Sequence, residues 1–300
     1  MDIGIIQITV LAIIQGVTEF LPISSSAHLL LPSLLFGWPD QGLTFDVALH
    51  MGSLSAVIIY FRQDLLRLTA AWAGSVLTRT ASSDSRLAWL LILATIPAGL
   101  AGILLGDYVE DYARALGVIA STSVLFGVLL YWADLRGKKI AGVEMLTWRG
   151  AMLIGFAQVL ALIPGTSRSG VTMMAALFCN LTREAAARFS FLLSIPIILA
   201  TGGLKAVELA AGNMSATAGL TLLYAMAVSG LVAYACIHYF LQLIGKIGFL
   251  PFIVYRILLG LFLFGILLAG CVPSQKSPSI PALPLPVSAI LRSLLPCSCL

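Results

Sequence analysis

Charge is what this chain has least of. Asp, Glu, Lys and Arg make up 10% of its 300 residues, against about 25% in a soluble globular chain. With 60% of residues hydrophobic and a mean hydropathy of +1.03, no block remains from which a water-soluble domain could be built. The net charge of +4 is small and dispersed, which excludes a nucleic-acid partner and reads instead as cations on inside loops. The five cysteines show no metal spacing; Cys179 and Cys236 sit in apolar runs and read as plain thiols. Met1-Asp2 is not followed by a basic stretch, and polar residues interrupt the first apolar run, so no cleavable signal peptide is expected. The expectation is one all-α polytopic membrane domain over residues 1–270.

Six apolar runs are long enough to span, since a helix needs about 20 residues. They lie near 45–61, 87–106, 115–133, 186–204, 218–243 and 249–270. Two further stretches, 3–36 and 149–180, are broken by a proline and a Ser/Thr cluster into pieces too short to cross, and they read as re-entrant helical hairpins. Loop charge supports this. Arg62, Arg67, Arg79 and Arg86 place the 62–86 loop inside, and Asp107, Glu110 and Asp111 place 107–114 outside. Arg136, Lys138, Lys139 and Arg149 place 134–149 inside. If 149–180 dips in and returns, Arg183, Arg188, Lys246 and Arg256 also fall on or near the inside.

The two halves, 1–134 and 148–270 with a linker at 135–147, read as a repeat. Leu21-Pro22-Ile23-Ser24-Ser25 matches Ile163-Pro164-Gly165-Thr166-Ser167, and a Phe follows each proline at 23 and 25 residues, Phe45 and Phe189. A hairpin plus three spans per half makes the second half inverted in the membrane. Residues 271–300 carry five prolines, Pro273 to Pro286, and are expected to be a disordered tail. Leu268-Ala269-Gly270-Cys271 has the form of a lipoprotein cleavage box.

Polar groups concentrate at the hairpin tips, where an ionisable side chain costs roughly 2.5–3.5 kcal/mol. Gln15 and Glu19 are four apart on one helix face. Pro22 breaks that helix, Ser24, Ser25 and Ser26 suit the cap of the next, and His28 on the new helix faces back toward the serines. In the second tip Pro164-Gly165 is a turn signal, and Thr166, Ser167 and Ser169 suit the cap of a helix opening near Gly170. Arg168 brings a fork of donors matched to phosphate oxygens; the bland alternative is a salt bridge to Glu19. Two helix N-termini with an Arg between them point to an anionic, phosphorylated ligand, and the membrane setting to one with a lipid tail. His50, at the start of a span, either borders the site or makes a satisfied interhelical hydrogen bond, the second being the preferred reading.

These two motifs, Gln15 to Glu19 with Pro22 to His28 and then Pro164 to Gly170, resemble those of the undecaprenyl-diphosphatase family, also called bacitracin-resistance proteins. The resemblance implies an inner-membrane phosphatase that removes the terminal phosphate of undecaprenyl diphosphate, recycling a cell-wall carrier lipid. It implies catalytic roles for Glu19, Ser25, His28 and Arg168, and a substrate-binding shell of Gln15, Ser24, Ser26, Gly165, Thr166, Ser167, Ser169 and Gly170. Either Ser25 or a water attacks phosphorus; His28 activates Ser25 or protonates the leaving group; Glu19 orients His28, acts as base, or holds a divalent cation, Mg²⁺ or Ca²⁺. Gln15 stands where many members have a second Glu, which weakens a dedicated metal cage. The expected partners are the polyprenyl diphosphate and the bilayer, with a homodimer left open and the site facing outward. Inverted repeats with broken helices also suit a carrier of a lipid phosphate or small anion, and phosphate release separates the two readings.

Overall fold

The computed structural model describes residues 4–39, 42–112, 115–210 and 216–269. The proline-rich tail and the cleavage-box cysteine of the sequence reading lie outside the described residues. Eleven α-helices carry the described chain: α1 (Ile5–Thr18), α2 (Ser25–Phe36), α3 (Leu43–Tyr60), α4 (Arg62–Leu77), α5 (Ser83–Tyr112), α6 (Leu116–Arg136), α7 (Trp148–Val159), α8 (Arg168–Phe178), α9 (Arg183–Ala210), α10 (Ala216–Ile247) and α11 (Leu250–Leu268). Each of the six runs expected to span has a helix over most of its described residues, and among the described residues four helices, or five with the bent α3–α4 pair, are long and apolar enough to cross. By length and composition α6, α11, Ser83–Leu105 of α5 and Gly219–Ile247 of α10 each suffice to cross a membrane.

Two of the expected loops are helical instead. Residues 62–77 form α4, which leaves α3 at 77° after Phe61. The helix is amphipathic: Arg62, Asp64 and Arg67 sit in its first turns, while Leu66, Trp72 and Leu77 stand exposed, a pattern suited to lying along a bilayer surface. Residues 107–112 extend α5 rather than forming a loop.

Both broken stretches are helical hairpins. In the second, Cys179 just past α8 has its Sγ 3.8 Å from the Gly150 carbonyl at the start of α7, so the chain leaves at the end where it entered. In the first, Trp38 beyond α2 packs on the cluster that holds Ile8, Leu11 and Ala12 of α1.

One end of the bundle is tied together by charge. Arg188 of α9 meets Asp64 of α4 at 2.7 Å, and Arg67 of α4 meets Asp84 of α5 at 2.9 Å. Arg183 grips Asp134 at the end of α6 through two bonds of 2.8 Å. Arg62 donates to the Ile59 carbonyl at 3.1 Å and Arg86 to the Leu146 carbonyl at 2.8 Å.

Within the bundle, helices approach through small residues. Hairpin helix α1 packs on α10 and hairpin helix α7 on α5. A Cβ on Gly16 would lie 2.6 Å from the Ser229 carbonyl oxygen, and one on Gly155 would lie 2.6 Å from the Ala94 carbonyl oxygen. At α3–α10, Ser53 and Ser229 hydroxyls meet at 3.1 Å beside Gly52 and Gly230. Close backbone approach of this kind supplies the van der Waals contact that helix association in lipid depends on. Because backbone cannot give way, Gly16→Val or Gly155→Val should cost about 1–3 kcal/mol, read as a lower melting temperature and less monodisperse protein in detergent. Unchanged melting would argue against that close contact.

Candidate active site

The two hairpin tips meet. Ser24 precedes α2 at φ 73° and Ser167 precedes α8 at φ 70°, both in a region that non-glycine residues avoid. Ser24 and Ser26 hydroxyls lie 3.1 Å apart, and Ser167 and Ser169 hydroxyls 3.2 Å apart. The tips are thus built alike, and the geometry aligns Ser24 with Ser167 and Ser25 with Arg168. This is one residue off the register read from the prolines, because the second tip carries one more residue between its proline and its cap.

Strained turns persist only when surrounding contacts over-determine them, and these are bolted across. Ser169 Oγ donates to the Leu21 carbonyl at 2.8 Å, and the Gly165 amide donates to Ser26 Oγ at 3.4 Å. Thr122 Oγ1 of α6 donates to the Pro164 carbonyl at 2.8 Å. The largest clamp is Arg256 of α11, which is fully buried. It donates to the carbonyls of Pro22 at 3.3 Å, Gly165 at 2.9 Å and Thr166 at 2.8 Å. The charge pattern places Arg256 on or near the inside; it is a core residue six positions into α11 that ties both tips together.

Glu19 is the hub of the cluster. Its Oε1 accepts from Arg168 Nη2 at 2.6 Å, and its Oε2 accepts from Ser25 Oγ at 2.9 Å and Gln15 Nε2 at 2.9 Å. His50 Nε2 of α3 stands 3.6 Å from Oε2, while its Nδ1 bonds the Asp46 carbonyl of its own helix at 2.7 Å. The salt bridge weighed as the bland alternative for Arg168 therefore forms, but it uses one of five guanidinium donors. Arg168 and Ser25 are only partly buried and Ser26 is exposed, so the cluster has an open side. The opening is lined by the first turns of α2 and α8, whose leading amides have no intrahelical acceptor.

The remaining predicted residues divide by burial. Gln15, Thr166, Ser169 and Gly170 are buried, and Gln15 Oε1 and Thr166 Oγ1 meet no protein partner among the described residues. Ser167 Oγ accepts from the Gly170 amide at 3.1 Å and caps α8, which opens at Arg168, two residues earlier than expected. Ser24 occupies the N-cap position of α2 without a side-chain cap bond. His28 belongs to the same tip, but its ring does not reach Ser25. Its Nδ1 donates to the Ser24 carbonyl at 2.7 Å, and its Nε2 pairs with the Tyr255 hydroxyl at 2.6 Å. The physical reason is its place in the first turn of α2, where the ring folds back on the cap carbonyl while α11 supplies a partner.

The donor set offers little to a divalent cation. Among the described residues no group of three His, Cys, Asp or Glu could hold a metal, and both oxygens of Glu19 already take donors.

Fold and site together define a polytopic helical membrane protein in which two hairpin tips interlock around the Glu19–Arg168 ion pair. The family described as bacitracin resistance protein BacA matches residues 8–262, and the chain belongs to it. It is 54% identical over 265 residues to the undecaprenyl-diphosphatase of Saccharophagus degradans, covering 87% of this chain and 98% of that protein. It is 52% identical over 260 residues to the undecaprenyl-diphosphatase of Teredinibacter turnerae, covering 87% and 98%.

Proposed function

We propose that the chain is a bacterial inner-membrane phosphatase that hydrolyses undecaprenyl diphosphate to undecaprenyl phosphate and inorganic phosphate. The observation that carries this reading is the Ser25–Glu19–Arg168 arrangement: a hydroxyl on a carboxylate at 2.9 Å, with a guanidinium on the same carboxylate at 2.6 Å. Nucleophile and base within hydrogen-bond reach, with the base oriented by a third group, is the signature of an activated nucleophile. A carrier of lipid phosphate has no use for that pair, so the transport reading is not favoured.

The terminal phosphoryl group sits across the first turns of α2 and α8, where free amides and the helix dipoles suit an anion. Arg168 neutralises the charge that develops on the equatorial oxygens. Ser25 Oγ attacks phosphorus in line, forming a Ser–O–P bond as the bond to the lipid monophosphate breaks. Glu19 Oε2 takes the hydroxyl proton, and a water then releases phosphate from Ser25 with the proton returning through Glu19. His28 and Tyr255 hold the α2 cap, and His50 lies in reach of Glu19 Oε2. A groove of about 510 Å³ beside His28 and Tyr255 has apolar walls from Ile13, Val17 and Phe252, and suits the first isoprene units. A divalent cation, Mg²⁺ or Ca²⁺, would be held chiefly by the diphosphate oxygens, with Glu19 the one carboxylate of the cluster, and would supply charge neutralisation there.

The packing of α1 on α10 and of α7 on α5, with the matched caps at Ser24 and Ser167, supports an inverted repeat. With the cation-rich end inside, the first hairpin enters from the outer face and the site opens outward. The test is phosphate release from undecaprenyl diphosphate by purified protein, with a divalent cation and with chelator. Ser25→Ala should lose about 10²–10⁴-fold in turnover, and rapid quenching of the wild type should trap a phosphoserine. Near-normal turnover of Ser25→Ala would assign the attack to water.

A further inference from the structure

A second basic cavity, of about 850 Å³, lies at the cation-rich end of the bundle where the end of α4 and the starts of α5 and α7 converge. Arg79, Arg86 and Arg149 line it, and no Asp or Glu does. The acid nearest in sequence, Asp84, is bound to Arg67 at 2.9 Å. Arg86 is fixed to the wall by donating to the Leu146 carbonyl at 2.8 Å. Arg149 lies over the Trp148 ring at 5.4 Å, and Arg79 follows α4 in a left-handed turn at φ 55°. Two helix N-termini open beside these arginines. Ser82 and Ser85 cap α5 reciprocally, each hydroxyl accepting from the other's amide at 3.0 and 2.9 Å, and Thr147 Oγ1 caps α7 at 3.2 Å.

The wall changes character along α5. Above the arginines it consists of Trp89, Leu90 and Leu93, with Trp89 and Trp148 46% and 61% exposed. Three unneutralised arginines below and a Trp-edged apolar wall above match a ligand with a phosphate head and hydrocarbon chains. A free phosphate would gain nothing from the upper wall. Basic pockets between helices on the cytoplasmic side are where anionic head groups bind, and tryptophans mark the depth of that interface.

We propose that this cavity binds the phosphate head group of an anionic glycerophospholipid of the inner leaflet, its chains lying against Trp89 and Leu93. The site is separate from the hairpin tips and does not depend on the phosphatase reading. Occupying it would join the start of α5 to the start of α7, the first helix of the second hairpin.

Native mass spectrometry of the full chain in neutral detergent tests this, titrating phosphatidylglycerol and phosphatidylcholine in parallel. The wild type should retain the anionic lipid roughly tenfold better than the zwitterionic one, and Arg79→Ala/Arg149→Ala should remove that preference, at about a fivefold loss per arginine. Phosphate release should stay unchanged in the double variant. Arg79→Glu, at an exposed loop position, provides a second variant and should lower retention at least as far as Arg79→Ala. Equal retention of the two lipids, or a preference that survives both variants, would overturn the proposal. So would displacement of phosphatidylglycerol by millimolar inorganic phosphate, which would mark a free-anion site, or retention of a polyprenyl phosphate alone.

Discussion

Replacing Arg168 by alanine should lower kcat/KM for undecaprenyl diphosphate by at least about 10³-fold, the scale on which cationic phosphoryl clamps contribute. Two losses add. The transferring phosphoryl group loses its only guanidinium from the second tip, and Glu19 loses the donor that holds Oε1 at 2.6 Å. A buried carboxylate stripped of its charge partner resists ionisation, so the base fails along with the clamp. Arg168→Lys tells these apart. A point charge restores the neutralisation but not the fork, so it should recover part of kcat/KM and leave KM raised. Steady-state phosphate release checks both variants, and a loss below about tenfold for Arg168→Ala would remove Arg168 from the transition state.

Glu19→Gln should be the second large effect, with kcat down about 10²–10⁴-fold and substrate binding retained. The amide keeps the shape and can still accept from Ser25, but it cannot take the hydroxyl proton. Binding survives because the phosphate is held by the helix amides and Arg168, which Glu19→Gln releases from its ion pair. Equilibrium binding of a lipid diphosphate beside single-turnover phosphate release distinguishes the two quantities. Loss of both together would make Glu19 a structural anchor of the tips rather than the base. The same variant tests the proposed cation: equal stimulation of the wild type and of the residual activity by Mg²⁺ would place the metal on the diphosphate, and stimulation of the wild type alone would place it on the carboxylate.

How much of this site was open to sequence reasoning follows from the distance over which each contact acts. Gln15 and Glu19 lie four apart on one helix, and local spacing put them on one face before any tertiary information. The caps at Ser24 and Ser167 were within reach for the same reason, although the register between tips was off by one, since a one-residue difference after the proline leaves no periodic signal. The hairpins followed from runs too short to cross and from the arginines that flank them. By contrast, His50 bordering the site was only the lesser of two readings, and Arg256 was placed no more closely than on or near the inside. Nothing within either helix marks them: the one lies 31 positions after Glu19, the other 88 after Arg168. The signal that was available for Arg256 was its cost, a lone cation in an apolar run, which only a set of buried carbonyls could offset.

The sequence by itself determined that this chain lives in a membrane, that two stretches are broken into helices too short to cross, and that the polar and ionisable groups gather at those breaks. Those are consequences of composition, segment length and side-chain type, which act locally. Tertiary structure alone decided which groups touch: that Ser25 is paired with Glu19 while His28 turns to Tyr255, and that Arg168 sits opposite Ser25. The physical reason is that these contacts join residues up to 227 positions apart. Only the interlocking of two strained turns around Arg256 brings them within hydrogen-bond range.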